Sequence, residues 1–359
     1  MTVTIEKYNQ NGEGVAFVDN KPIYIFGAIR GEEVEIKLIV EKEKYSIGEI
    51  VKIIQASPNR RPETFEDAKL IGGYELIHMN REEQITFKTE RVLNDFKSIA
   101  KTELKNLEFF VGEKEFYYRN KITLHDGAFY QKQTKNKLKI NNYMLSDIEY
   151  DENLFGEIIY RKLDTLIVGT KKSGLVTTDS MFGLKFNVGI GSFYQTNKEV
   201  AQEAYKDIKK HVIENGKTLD LYSGIGTIAI YVSDISESVV AVEDNKDSYN
   251  NAVQNIVQNQ ITNVRFIKAD VEIFLKKNNS HFNTFVIDPP REGMSAKVIK
   301  TLILKFKPER IIYLSCNPGT QAADFAKLKR HYRIIFNKAY DMFPQTKHIE
   351  SLIVLEKRN

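Results

Sequence analysis

From about residue 198 onward the sequence alternates short, β-branched apolar runs with longer amphipathic ones, and no other feature restricts the fold as tightly. "TLDLYSG" leads into a helical segment; "SVVAVED" precedes "NKDSYNNAVQNIVQN", and "VRFIKAD" precedes "VEIFLKKN". "TFVIDPP" then precedes "AKVIKTLILKF", and "RIIYLSCN" precedes "TQAADFAKLKR". Runs this apolar belong to strands covered on both faces, and strands separated by helices run parallel. The last two runs, "RIIFNKAYDMF" and "IESLIVLEK", have no helix between them and predict an antiparallel edge. The expected fold over 191–359 is therefore α/β and Rossmann-like, with ligands bound beyond the carboxyl ends of the strands.

A chain of 359 residues exceeds one typical core. Residues 1–56 contain five short strand-like runs, "VTIEKY", "GVAFVD", "KPIYIFGA", "EEVEIKLIVEK" and "SIGEIVKII", which predict a small OB-type barrel. "ASPNRRPETF" carries two prolines and reads as a linker. A central α+β part is expected over 57–190, with a helix over 80–101 whose apolar positions are Ile85, Phe87, Val92, Leu93, Phe96 and Ile99. Strands follow from about 115 to 190, and the basic run "QKQTKNKLK" (131–139) between two of them is expected on a loop.

The net charge of +4 does not by itself demand nucleic acid; that run, "NRR" (59–61) and "KPER" (307–310) are local basic patches, each either a solvated face or a phosphate contact. Cys316 is the only cysteine, which excludes an internal disulfide and any all-cysteine metal or cluster site. No apolar stretch is long enough to span a membrane, and the first residues lack the pattern of a secretion signal. A cytoplasmic monomer without a metal site or membrane contact is expected.

The unusual residues gather at the predicted strand ends. Gly224 and Gly226 permit a tight turn and close approach of a ligand to backbone. Glu243 stands where an acid accepts from ribose hydroxyls, although it or Asp244 equally suits a strand-end or capping acid. Asp270 is either beside an adenine-sized ligand or a helix N-cap. Asp288 precedes two prolines that must break the strand, in a turn whose Arg291 suits an anionic partner. Cys316 ends the next strand, where it is either a small buried hydrophobe or a reactive thiol, and the turn before the last, "FPQTKHIE", carries Glu350.

"FYQTN" (193–197), "LDLYSGIG" (219–226), "DPPREG" (288–293), "SCNPGT" (315–320) and "HIE" (348–350) occur in that order. Together they resemble the RNA uridine-C5 methyltransferases, over essentially the whole chain. Residues 1–56 are similar to the TRAM domain, a small RNA-binding barrel found in several members. The resemblance implies a class I S-adenosylmethionine-dependent methyltransferase domain that makes 5-methyluridine in ribosomal or transfer RNA. It implies Cys316 as nucleophile and Glu350 as base, with Gln195, Tyr222, Gly224, Glu243, Asp270 and Asp288 around the cofactor or the reacting end of the site. Arg291 would hold uracil oxygens or a phosphate, and His348 either orients Glu350 or caps a strand. Aromatics such as Tyr117, Tyr118, Phe129 and Tyr130, interleaved with Arg119 and Lys132, would stack on or track RNA, or else fill strand cores.

The chain departs from the family at one place. Many members carry a [4Fe–4S] cluster on a C-x5-C-G-G-C run and a later cysteine; here Phe65, Ile71, Tyr74 and Tyr143 stand at those positions. No cluster is expected, and aromatic and aliphatic packing would hold the region. Its cluster-bearing relatives with a barrel mostly act on 23S ribosomal RNA, the cluster-free ones on transfer RNA. The barrel favours 23S ribosomal RNA, with a transfer RNA substrate and a catalytically silent RNA-binding or folding factor as the competing readings.

Overall fold

The computed structural model describes residues 1–62, 68, 70–132, 134–140 and 142–358. The chain forms two compact units, each assembled from separate stretches.

The first unit comprises Met1–Arg91, Ala128–Tyr143 and Phe343–His348. Its sheet has six strands rather than the expected five, in the order Thr2–Thr4, Glu33–Glu41, Ser46–Gln55, Lys21–Ile25, Gly14–Val18, Lys7–Tyr8. The run "VTIEKY" is broken because it changes partner: Ile5 donates its N–H to Glu32 O, and Glu6 donates to Val15 O. The two outermost strands are thus consecutive in the chain, and the bend between them closes the sheet into a barrel. Val3, Ile5, Ala16, Ile23, Ile25, Val34 and Ile36 fill its interior. Alternation along "EVEIK" places Val34 and Ile36 inside and Glu35 and Lys37 outside, so register and core are set together.

The "NRR" patch serves this unit's own packing. Glu32 is wholly buried, and Arg60 grips its carboxylate with Nε at 2.6 Å and Nη2 at 2.7 Å while also donating to Gly27 O. The N–H groups of Ile29 and Ser57 complete the carboxylate's partners. The basic run lies on a hairpin, Phe129–Tyr130 against Lys137–Leu138, and not wholly on a loop. Lys132 sits over the Phe26 ring at 3.4 Å, whereas Lys135, Lys137 and Lys139 are exposed. Ile71 and Tyr74 are buried; Tyr74 meets Tyr143 edge-on at 6.0 Å, and Phe129 stacks on Tyr143 at 4.5 Å. Phe65 lies outside the described residues. Of the aromatics expected against RNA, Tyr130 in this unit is exposed.

A helix over Arg81–Ser98 begins in the first unit and ends in the second. Asn80 caps it by accepting from Glu83 N. It stops short of residue 101 because Lys101 adopts φ 50° and Thr102 N reaches back to Phe96 O. Phe87, Val92 and Phe96 are buried as the spacing predicts, but Ile99 lies beyond the helix and is exposed.

The second unit comprises Val92–Gly127, Met144–Met342 and Ile349–Asn359. Its eight-stranded sheet runs Val264–Lys268, Ser238–Glu243, Lys217–Leu221, Thr284–Ile287, Arg310–Ser315, Glu350–Lys357, Tyr332–Tyr340, Glu108–Phe110. The first five are mutually parallel, and Glu350–Lys357 is antiparallel to both neighbours. Strand order reverses beside Lys217–Leu221, whose chain successor pairs on one side and Thr284–Ile287 on the other, which opens a crevice at their carboxyl ends. Leu219, Leu221, Phe285, Ile287, Ile311 and Ile353 are among its buried core residues. The strand Glu108–Phe110 is an addition that the sequence did not announce. Outside this sheet, Lys121–His125, Glu157–Lys162 and Leu166–Gly169 form an antiparallel sheet, and Val176–Met181 pairs with Leu184–Gly189. Tyr117 is exposed and Tyr118 buried.

Candidate active site

The strand Lys217–Leu221 delivers the chain into a turn that its backbone strongly constrains. Tyr222, Gly224 and Gly226 have φ values of 64°, 57° and 85°. A Cβ on Gly226 would lie 2.3 Å from the tip of the Phe266 ring, so the turn passes too close to the sheet for any other residue. A Cβ on Gly224 would meet open space. Glu243 ties this turn down: one carboxylate oxygen accepts from Gly224 N at 2.8 Å and the other from Asn245 N at 2.7 Å. The cap of the next helix is Asn245 rather than Glu243 or Asp244. Asp270 does cap its helix, accepting from Ile273 N at 3.0 Å.

The crevice holds a small cavity of about 40 Å³ whose wall includes Gln195, Tyr205, Asp220, Tyr222, Gly224 and Asp288. Gln195 is buried with no partner for its Oε1, and Asp220 is buried with none for its Oδ2. Two buried oxygens without partners at one wall suit a ligand rich in hydrogen-bonding groups. Asp220 and Tyr205 were missed in the sequence. An acid inside the apolar strand "TLDL" was a usable signal; Tyr205, on the buried face of the helix Lys198–His211, gave none. Glu243 and Asp270 do not line the cavity; the first acts on it through the Gly224 turn.

Cys316 follows the strand Arg310–Ser315 and precedes the helix Pro318–Leu328, which Asn317 caps. The loop that starts at Asp288 is fastened to this helix start, since Arg291 O accepts from Asn317 Nδ2 at 3.2 Å and from Thr320 Oγ1 at 3.1 Å. The Arg291 guanidinium lies beside the Cys316 thiol and favours its ionised form. Glu350 opens the strand Glu350–Lys357, buried, with no partner for its Oε2.

The electrostatics of this group are dominated by desolvation. Burial pushes the Asp288 carboxyl up to about 7. Burial, then the neighbouring Asp288, pushes Glu350 well above the ordinary carboxylate range, against the opposing charge of Arg291. Asp220 is raised in the same way, with Asp288 and Glu243 adding to burial. Burial pushes the Cys316 thiol up to about 11; Glu350 and Asp288 act in the same sense, and Arg291 opposes. Burial thus favours the protonated forms of Glu350 and Asp220, and near neutral pH Asp288 is poised to exchange a proton. The free thiol stays protonated, with Arg291 in place to stabilise the thiolate once it forms.

A profile of the tRNA (uracil-5-)-methyltransferase family matches residues 90–358, and one of the TRAM domain matches residues 1–51. The chain belongs to the tRNA (uracil-5-)-methyltransferase family. It is an enzyme that methylates uracil C5 in RNA, with the α/β methyltransferase fold and the N-terminal barrel that its sequence led one to expect. It is 49% identical to an uncharacterized RNA methyltransferase of Mycoplasma mobile, covering 98% of this chain and 97% of that one. It is 27% identical to the 23S rRNA (uracil(1939)-C(5))-methyltransferase of Aliivibrio fischeri, covering 99% of this chain and 96% of the relative. Its fold is shared with the Pyrococcus abyssi tRNA (uracil-54, C5)-methyltransferase, solved in complex with S-adenosyl-L-homocysteine. There the TM-score is 0.79 at 22% identity, over 99% of this chain and 100% of that one. Among the described residues no helix is long and apolar enough to cross a membrane, and no group of three or more His, Cys, Asp or Glu is placed to hold a metal ion.

Proposed function

We propose that this enzyme methylates uridine C5 in 23S ribosomal RNA, with Cys316 as nucleophile, Glu350 as base and S-adenosylmethionine as methyl donor. The observation that carries the reading is the meeting of Cys316, Arg291, Asp288 and Glu350 at one strand edge, next to the cavity with unsatisfied Gln195 and Asp220 oxygens. Those oxygens fit the amino group and hydroxyls of the donor, and the open space over Gly224 admits it. Gln195, Asp220, Tyr222, Gly224 and Asp288 would hold it, Glu243 through the turn it fixes, and Asp270 at the rim. The donor supplies an electrophilic methyl group on a sulfonium leaving group.

Uracil C5 is a weak nucleophile. The Cys316 sulfur adds to C6, its proton passing to a carboxylate of the site, and the ring becomes an enolate whose negative charge rests on O4 and C5. C5 then takes the methyl group and carries both it and a hydrogen. Glu350, its own proton first released to solvent, removes that hydrogen, and the C6–S bond breaks as the ring double bond reforms. Arg291 holds the sulfur's charge at the start and end of this sequence. The target base must leave its stack to reach a site this enclosed.

The ribosomal substrate is supported by the N-terminal barrel and by the Aliivibrio fischeri relative, which matches from end to end. The same reading takes residues 1–56 as an RNA-binding barrel, 57–190 as a central domain and 191–359 as the methyltransferase domain. It makes the enzyme a cytoplasmic monomer, since one chain supplies every group named above. Incubation with labelled S-adenosylmethionine and unmodified 23S or transfer RNA, then digestion to nucleosides, tests it. Label in 5-methyluridine from 23S RNA is expected. Label from transfer RNA alone would overturn the substrate, and label only in other methylated nucleosides, or none, would overturn the reaction.

A further inference from the structure

We propose that a basic cleft at the amino ends of the parallel strands, on the side of the sheet away from Cys316, binds the phosphate backbone of the substrate RNA beyond the target nucleotide. The proposal rests on RNA being the substrate and extends that reading to a second, distal contact.

The cleft, about 760 Å³, lies between the segment 102–108 and the start of the strand Tyr332–Tyr340. Lys105, Lys329, Arg330, Arg333 and Arg358 line it, against the two carboxylates of Glu103 and Glu108. Sheet register locates it. Arg310 pairs with Glu356 and Ser315 with Ser351, while Arg333 lies opposite Glu356. The cleft is therefore level with the start of the strand that ends beside Cys316, five residues or about 17 Å away along the sheet.

Several of its cations are held in place by backbone. Lys329 Nζ donates to Ala100 O at 2.6 Å, and Arg358 Nε donates to the carbonyls of Lys329 and Tyr332. Arg333 is braced on Glu356. Lys105 and Arg330 are exposed, and no carboxylate of the described residues pairs with either. Guanidinium forks fit phosphate oxygens in pairs, and groups already fixed lose little entropy on binding.

A β-strand added by an acidic peptide is the other candidate for this edge, because Glu108–Phe110 pairs only with Lys338–Tyr340. The edge is ill suited to it. A bulge interrupts the register between Ile334 and Phe336, and Asn337 Nδ2 donates to Lys105 O across the gap. Phosphates need only the cations, and they fit.

The test compares the wild-type enzyme with a Lys105→Glu, Arg330→Glu double variant, both on the surface and outside the catalytic group. Equilibrium binding is measured to a long 23S fragment and to a short stem-loop carrying the same uridine, across a range of salt, with methylation followed in parallel. Affinity of the variant for the long RNA should fall about tenfold or more, and the slope of log affinity against log salt should fall by about 1.5. Binding and methylation of the stem-loop should be unchanged, and Lys105→Arg with Arg330→Lys should restore the long-RNA affinity. Unchanged affinity and slope on the long RNA would overturn the cleft, even if both RNAs are methylated. Absence of 5-methyluridine from the wild type would instead defeat the function proposed above, while the binding comparison still decides the cleft.

Discussion

In the proposed mechanism Cys316 and Glu350 carry separable halves of the chemistry, and replacing each should stall it at a different point. Cys316→Ala should lose methylation to below detection and form no protein–RNA adduct. Glu350→Gln should lower turnover by about 10²–10⁴-fold while a covalent adduct accumulates, seen as a slower band on a denaturing gel. Normal methylation by the first variant, or no adduct with the second, would remove the assignment. Asp288 makes a different prediction. Its folded carboxyl is pushed up to about 7 from an ordinary value near 3.8, so the native state binds the proton more tightly than the unfolded chain. Stability from this group is full at low pH and is lost as pH rises through about 7, after which it stays level. Asp288→Asn should reduce that slope, the remainder coming from Glu350 and Asp220, and leave the protein more stable than wild type at pH 8, on the order of 2–4 kcal/mol. Thermal melts at pH 5 and pH 8 check it. At this scale the sequence showed the groups that break local pattern: a cysteine at a strand end, an acid before two prolines, a late Glu. It hid Tyr205, which differs from any core aromatic only by what faces it, and that is decided by chain segments far away.

Turns and strands show where local sequence is enough. The five parallel strands were legible because each is a β-branched run closed by glycine, proline or acid. Glu108–Phe110 was not, because three residues have no measurable period and their partner lies more than two hundred residues downstream. The barrel's extra strand was hidden for a related reason: "VTIEKY" is one run in sequence but serves two neighbours. The turn after Lys217–Leu221 gives the sharpest element-level prediction. Gly224→Ala meets only backbone strain, and should cost about 1 kcal/mol. Gly226→Ala adds a collision with Phe266 and should cost about 2–4 kcal/mol, with weaker S-adenosylmethionine binding. Melting temperature and calorimetric titration distinguish them; equal costs would mean that the Phe266 contact does not confine the turn.

Over the whole molecule, each compact unit has its own buried core and its own weak point. In the first unit it is the buried Glu32 carboxylate. Arg60→Ala leaves that charge with only two backbone donors and should cost about 3 kcal/mol, with faster hydrogen exchange in the barrel strands and unchanged exchange in Lys217–Leu221. Exchange that quickens equally in both units would show that the loss is not local. The same unit also recruits residues from near the far end of the chain. Gln84 and Gln345 exchange side-chain and backbone hydrogen bonds, Lys88 donates to Phe343 O, and Arg91 donates to Lys347 O. Immediately after this segment comes Glu350, and then the strand that pairs with both Arg310–Ser315 and Tyr332–Tyr340. A chain emerging from the ribosome thus holds the proposed nucleophile before it holds the proposed base. Until residues 343–357 are made, the first unit lacks its last stretch and the large sheet lacks an interior strand. If the proposed roles hold, an unfinished chain has no means of releasing a captured base, so completion of folding and competence for turnover arrive with the same few residues.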